Sequence, residues 1–113
     1  MKRLNITDFP TTFAHNEVPR KALVKVGESK TCVQTINYAW LEKNESFTPH
    51  KHDDCEEFYF FFEGEGVMKI DGREFKVKKG DFVVVEKGEW HGLKNKGKGR
   101  LVFFTVRARV CGK

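Results

Sequence analysis

The sequence predicts an all-β domain, a sandwich or barrel of short strands, and three observations carry that prediction. Apolar residues recur with period 2 or in continuous runs of strand length, turn residues interrupt those runs every few positions, and no ten-residue segment has helical spacing. Many short strands with frequent turns in a chain of 113 residues mean a sandwich or a barrel. That length suits one domain with one core, and the eleven phenylalanines argue for a packed interior. Closing the sheet also removes edges that would otherwise pair with other chains.

Residues 1–20, with Pro10 and Pro19, read as an extended arm or loop, and residues 21–113 as a single domain. His15, in that arm, reads as an exposed histidine without a role. The first strand candidate is KALVKV, closed by the break GES. TCVQTINYAWLE follows, with Val33, Thr35, Asn37, Ala39 and Leu41 on one face and Gln34, Ile36, Tyr38 and Trp40 on the other. Leu41 is apolar where Glu42 is charged, so the odd-numbered face is expected inside, making Thr35 and Asn37 candidates for the lining of a pocket. The opposite assignment would turn Tyr38 and Trp40 inward. SFTPHKH, EEFYFFFEG, GVMKI, REFKVK, DFVVVE, EWHGLKN and RLVFFTVRARV continue the series, separated by HDDC, EGEG, DG, KKG, EKGE and KGKG. The sharpest signal is MKIDGREFKV: Asp71-Gly72 between two alternating runs predicts a two-residue hairpin, because glycine accepts the positive φ that the turn needs.

The formal charge of +5 is unevenly spread. Residues 1–68 hold 8 basic and 11 acidic side chains, a net of −3, whereas residues 69–113 hold 13 basic and 5 acidic, a net of +8. A basic half can serve nucleic acid, but here the lysines alternate with apolar residues or crowd into KNKGKGR, with no helix or RNA-binding strand pattern beside them, so no nucleic-acid partner is expected. No stretch approaches the length of a membrane span, and MKRLNITDFP lacks the apolar run of a secretion signal. The three cysteines, Cys32, Cys55 and Cys111, are odd in number and show no CxxC spacing, so the expectation is a reduced, cytoplasmic protein with free thiols.

One constellation carries chemistry. His50 and His52 are two residues apart, so on a strand both imidazoles point to one side. Four residues separate His52 from Glu57, a connection that can bring the next strand back beside the rings, and His91 lies far along the chain in GDFVVVEKGEWHGLKN. Three imidazoles and a carboxylate form a borderline-to-hard donor set suited to one divalent transition metal: Fe, Mn, Ni, Co, Zn or Cu. In an octahedral arrangement four such ligands leave two positions open, as a catalytic site requires.

The stretch from Asn44 to Gly64 resembles the first cupin motif, G-x5-H-x-H-x3/4-E-x6-G, and the stretch from Gly80 to Asn95 resembles the second, G-x5-P-x-G-x2-H-x3-N. Through this resemblance His50, His52, Glu57 and His91 match the family's metal ligands, and Gly64, Gly80, Gly88 and Asn95 match its structural positions. Glu57 is preferred to Glu56 because six residues after it lead to Gly64. Two positions depart from the pattern. Asn44 replaces the opening glycine, a change that asparagine's tolerance of left-handed backbone accommodates, and Glu86 replaces the proline. The resemblance implies a small single-domain cupin: a jelly-roll β-barrel with the metal inside, commonly a homodimer.

If Glu57 faces inward, so do Tyr59 and Phe61, as apolar pocket wall. Phe58, Phe60 and Phe62 then face out and need a cover, either the N-terminal segment or a second subunit, and a homodimer is expected. Cys55 reads as a loop cysteine pointing away. The functional expectation is a metal-dependent enzyme of oxygenase, isomerase or decarboxylase type acting on a small polar molecule. The alternative is a non-catalytic module that holds a metal or metabolite for sensing or storage.

Overall fold

The computed structural model describes residues 1–14 and 17–110, so His15 and Cys111 lie outside the described residues. A 3-10 turn at Ile6–Asp8 precedes the strands β1 (Thr11–Ala14), β2 (Val18–Val24), β3 (Val33–Leu41), β4 (Ser46–His50), β5 (Cys55–Glu63), β6 (Glu65–Ile70), β7 (Arg73–Lys78), β8 (Phe82–Val85), β9 (His91–Asn95) and β10 (Leu101–Arg109). Each strand from β2 onward overlaps one of the alternating or continuous apolar runs, β2 beginning three residues before KALVKV. The Asp71-Gly72 hairpin forms between β6 and β7, with Ile70 opposite Arg73 and φ of 47° and 83° at the two turn residues.

The N-terminal stretch is a correction. Residues 1–20 are not an arm or loop throughout: β1 and the start of β2 lie within them and pair antiparallel, Thr11 opposite Lys21 and Ala14 opposite Val18. The signal was missed because TTFA is short and Pro19 sits inside the second run. Proline is tolerated there because it pairs only with β1, opposite Phe13, and the ladder to β3 begins one residue later at Arg20.

The strands form two sheets, a six-stranded one in the order β1-β2-β3-β10-β5-β8 and a four-stranded one in the order β4-β9-β6-β7. All their pairings are antiparallel. Long crossovers place β10 between β3 and β5 and β9 between β4 and β6, which is jelly-roll connectivity. Among the described residues no ladder joins one sheet to the other, so the barrel is two facing sheets with a core between them.

That core takes alternate residues from both sheets. Ala39 and Leu41 of β3, Tyr59 and Phe61 of β5, and Leu101 and Phe103 of β10 meet Phe47, Met68, Val77 and Leu93 from the small sheet. At one end it is a solid apolar plug, where Leu41, Phe61, Met68 and Leu101 are fully buried. Gly64 closes this end. Its φ is +90° and a Cβ would stand 2.2 Å from the Arg100 carbonyl oxygen, so no other residue fits. Asn95 holds the same end from within, Nδ2 donating to the Leu41 and Gly99 carbonyls and Oδ1 accepting from the Gly97 N–H. Three hydrogen bonds satisfy its buried amide and clamp the glycine-rich turn before β10.

Cys32 is disulfide-bonded, which corrects the expectation of free thiols throughout. No helix among the described residues is long and apolar enough to cross a membrane.

Candidate metal centre

At the other end the sheets part around a cavity of about 410 Å³. Its floor is the inner face of the six-stranded sheet, where the register creates rows of facing residues. Ala22, Asn37, Thr105 and Tyr59 stand side by side across β2, β3, β10 and β5, and Thr35, Arg107 and Glu57 form the next row across β3, β10 and β5.

His50, His52 and Glu57 line this cavity, and the fully buried His91 meets them from behind; each of the four offers one ligand atom, and these atoms lie within 4.8 Å of one another. Three local devices place them. His50 of β4 stands directly opposite His91 of β9, with an irregularity in β4 between Phe47 and His50 that re-aims the strand end. The rings of these two histidines are 4.3 Å apart. His52 follows β4, and its carbonyl accepts the Gly88 N–H at 2.8 Å, so the turn before β9 anchors the loop that carries it. Asp71 braces His91 from outside: its N–H donates to the Trp90 carbonyl while its Oδ1 accepts the Trp90 N–H.

Both departures from the motif pattern are accommodated. Asn44 has φ of 66°, the left-handed conformation that a glycine would take freely. In place of a proline, Glu86 shares two hydrogen bonds with Glu89, the Glu86 N–H donating to Glu89 Oε1 and the Glu89 N–H to the Glu86 carbonyl.

The donor chemistry fits a metal. The Thr48 and Glu89 carbonyls lie 3.3 Å from Nδ1 of His50 and His91, and as acceptors they hold a proton on each Nδ1. The opposite nitrogen, Nε2, is then left with a lone pair. Glu57 Oε1 sits 3.1 Å from His91 Nε2 and 3.5 Å from His52 Nε2. A neutral ring protonated at Nδ1 has no hydrogen to offer Glu57, so the pair needs either an extra proton or a cation between lone pairs. Bonds of about 2.0–2.2 Å from one ion place cis ligands about 3 Å apart and trans ligands about 4.2 Å apart. The four ligand atoms, all within 4.8 Å of one another, lie close to that spacing.

The electrostatics agree. Burial, then the neighbouring His91, lower the His50 imidazole to about 4, which keeps it neutral and able to coordinate near neutral pH. Burial by itself would raise Glu57, but hydrogen bonds and positive charge from His52 and His91, which need the extra proton that a metal would replace, outweigh it and bring the carboxyl down to about 2. Tyr59, fully enclosed, stands 3.5 Å from Glu57 Oε1, and burial followed by the Glu57 charge pushes its phenol well above the usual tyrosine range. It therefore keeps its proton beside the carboxylate.

Among the pocket candidates, Thr35, Asn37 and Tyr59 line the cavity. Phe61 does not. It is fully buried in the apolar plug, 6.2 Å from the Tyr59 ring and 5.8 Å from the Phe103 ring, because two residues further along β5 the opposing sheet has already closed over it. Cys55 is likewise corrected: it opens β5, is 2% exposed and free, and burial pushes its thiol up to about 11. Such a thiol is a weak nucleophile at neutral pH. The reading of single residues missed Arg20 and Arg107, which also line the cavity. Arg20 lay in the presumed arm, and Arg107 in an apolar strand among the solvated charges of a basic half.

Residues 38–107, more than half of the chain, match the family described as the cupin domain. The chain belongs to the cupin domain family. This cupin is 37% identical over 57 residues to the oxalate-binding protein of Thermotoga maritima, covering 50% of this chain and 47% of that one. It is 42% identical over 48 residues to an uncharacterized protein of Methanocaldococcus jannaschii, covering 42% and 38% of the two chains. The cupin thus spans about half the length, or less, of these relatives. In three dimensions it superposes with a TM-score of 0.89 on a Thermotoga maritima protein described as a predicted oxalate decarboxylase, at 23% identity, covering 96% of this chain and 100% of that one. The polyketide cyclase RemF from Streptomyces resistomycificus superposes at 0.80, with 21% identity over 100% of this cupin and 87% of the cyclase. Those structural likenesses establish the jelly-roll fold.

Proposed function

We propose that this cupin holds one divalent transition metal at His50, His52, Glu57 and His91 and is an enzyme acting on a small polar, acidic molecule bound there. The carrying observation is the convergence of those four ligand atoms beside a cavity that three of the four residues line and whose remaining charges, Arg20, Lys25 and Arg107, are positive. With His50 neutral and Glu57 directed at the metal, the free field in the cavity favours an anion. A relative named for oxalate binding supports the same ligand chemistry.

A metal in this site would polarise a bound oxyanion and stabilise negative charge developing on it. The chain's own residues set the surroundings. His50 at the end of β4, His52 just beyond it and His91 at the start of β9 would hold the ion, and Glu57 would balance its charge. Tyr59 holds a phenolic proton against Glu57 and keeps the carboxylate oriented. Phe47 and Phe103 exclude water from the inner wall. The reaction types that fit this environment are oxygenation, isomerisation or decarboxylation.

The same features support a second reading, a non-catalytic module that binds metal and metabolite, because the matching relative is named as a binding protein. Elemental mass spectrometry of the purified protein, followed by oxygen uptake and turnover over a panel of small acids, thiols, phenols and sugars, separates the two. Turnover is the expected result; a bound redox-inert metal with no turnover would favour the binding module. His52→Ala should lower metal affinity at least about 100-fold, since it removes a ligand outright where even outer partners cost 10–100-fold. Unchanged metal content in that variant would sink the site.

We also propose that the working form is a homodimer through the outer face of the six-stranded sheet, where Phe60, Phe62, Phe82 and Val84 stay exposed. Four large apolar side chains on neighbouring strands form a patch of the kind that marks an interface.

A further inference from the structure

The cavity holds a second pair of polar groups that the histidine–glutamate cluster does not use. Among the described residues, two buried side-chain polar atoms lack a hydrogen-bond partner, Arg20 Nε and Asn37 Oδ1, and both residues line this one cavity. Asn37 is 7% exposed, and its Nδ2 reaches Thr105 Oγ1 only at 3.4 Å, so the fold pairs the amide weakly on one side and not at all on the other. Unpaired buried polar atoms are rare because they forfeit their hydration, and two in one cavity point to a ligand that pairs them.

The two atoms need different partners. The Arg20 Nε–H needs an acceptor, and a carboxylate is the strongest. Asn37 Oδ1 needs a donor, such as a hydroxyl. Their places in the sheet then set the spacing. β2, which carries Arg20, lies three strands from β5, which carries Glu57. That is about 14 Å of sheet width. Asn37 stands between them on β3. The intervening wall includes Val18, Ala22, Ala39 and Phe103, small or apolar surface suited to methylene carbons. The side chains of Arg20 and the cluster reach inward and shorten that gap, and oxalate, with its carboxylates directly bonded, spans less of it than a longer diacid.

We infer that the ligand is a hydroxylated dicarboxylic acid longer than oxalate. One carboxylate sits at the His50–His52–Glu57–His91 cluster, a mid-chain hydroxyl donates to Asn37 Oδ1, and the far carboxylate accepts from Arg20 Nε. This assignment rests on the metal-centred reading above and gives it a substrate class.

Calorimetric titration of the purified, metal-assayed protein with oxalate, succinate, glutarate, adipate and 3-hydroxyglutarate tests it. Affinity should rise with chain length above that of oxalate, and 3-hydroxyglutarate should bind more tightly than glutarate. Arg20→Met should cost the longer acids about 10- to 100-fold, the loss expected for one charged hydrogen bond, while oxalate, which loses only the long-range attraction of that charge, weakens far less and metal content stays unchanged. Asn37→Leu should erase the advantage of the hydroxylated acid over glutarate. If oxalate binds most tightly and Arg20→Met treats every acid alike, the inference is overturned while the metal site stands. If the protein binds no metal yet keeps the length preference and its dependence on Arg20, the metal-centred reading fails and the far anchor stands. Should Arg20→Met fail to fold, the wild-type series decides alone: a flat or falling affinity with length refutes the assignment.

Discussion

The two faces of β5 make an instructive contrast. Glu57, Tyr59 and Phe61 on one side are 8%, 2% and 0% exposed, whereas Phe60 and Phe62 on the other are 39% and 37% exposed. Both faces are aromatic and neighbours alternate along one strand, so composition does not separate them. The difference lies in what stands opposite. The inner side meets the four-stranded sheet, which closes fully over Phe61 and opens by Glu57 to leave the cavity. The outer side meets ring edges of its own sheet, Phe62 against Phe104 at 5.0 Å and Phe58 stacked on Phe82 at 6.1 Å, and then solvent. Hydrophobic residues on the inner face stabilise the fold; those on the outer face stabilise it little and are available to a partner.

The largest test of this contrast is a pair of truncations. Phe61→Ala should destabilise the chain by about 3–5 kcal/mol, the range for a fully buried phenylalanine, and Phe60→Ala by less than about 1 kcal/mol in the monomer. Urea denaturation at low protein concentration measures both, and equal losses would erase the distinction between the faces. Next in size is the dimer itself. Phe60→Ser with Phe82→Ser should shift sedimentation at micromolar concentration from dimer to monomer while the far-ultraviolet circular dichroism stays unchanged. A wild-type protein that already sediments as a monomer would leave the outer patch without its proposed partner.

The inner face also predicts a pH response in the metal-free protein. The His50 imidazole lies lower in the folded chain, at about 4, than the 6.5 of an unperturbed histidine, so between those values the unfolded chain binds the extra proton. Stability therefore falls as pH drops from 6.5 toward 4. Glu57, at about 2 against 4.5, adds a further loss as pH drops from 4.5 toward 2. Melting temperatures across that span should decline steadily, and bound metal should suppress the upper part of the decline by keeping His50 deprotonated; a flat profile in the metal-free protein would contradict the burial argument. The smallest effect belongs to Tyr59→Phe, which removes a single long hydrogen bond to Glu57. It should change metal affinity only several-fold and leave the fold intact, because a hydrogen bond to a carboxylate stretched to 3.5 Å contributes well below its full strength. A hundredfold loss would make Tyr59 a far stronger determinant of the site than its 3.5 Å contact indicates.

Much of this molecule was legible in its residues. Period-2 alternation marked the strands from β2 to β10, and Asp71-Gly72 marked a hairpin, because side-chain direction and turn dihedrals are local properties. The spacing of His50, His52, Glu57 and His91 within two motif-like stretches identified the residues that the fold gathers at one end of the cavity. What stayed hidden depended on distant partners. Thr11–Ala14 is too short to declare itself a strand without β2 beside it. Phe61 is indistinguishable from Tyr59 by period, yet the opposing sheet has closed at one and not at the other. Arg20 carries no local mark of function; only the long crossovers that set the order β2-β3-β10-β5 bring it and Asn37 into the cavity that Glu57 faces. Local pattern determined which side chains turn to the same face, since that follows from backbone geometry alone. Tertiary packing decided which of them meet a neighbour, an open cavity or each other, since that depends on where the second sheet stops.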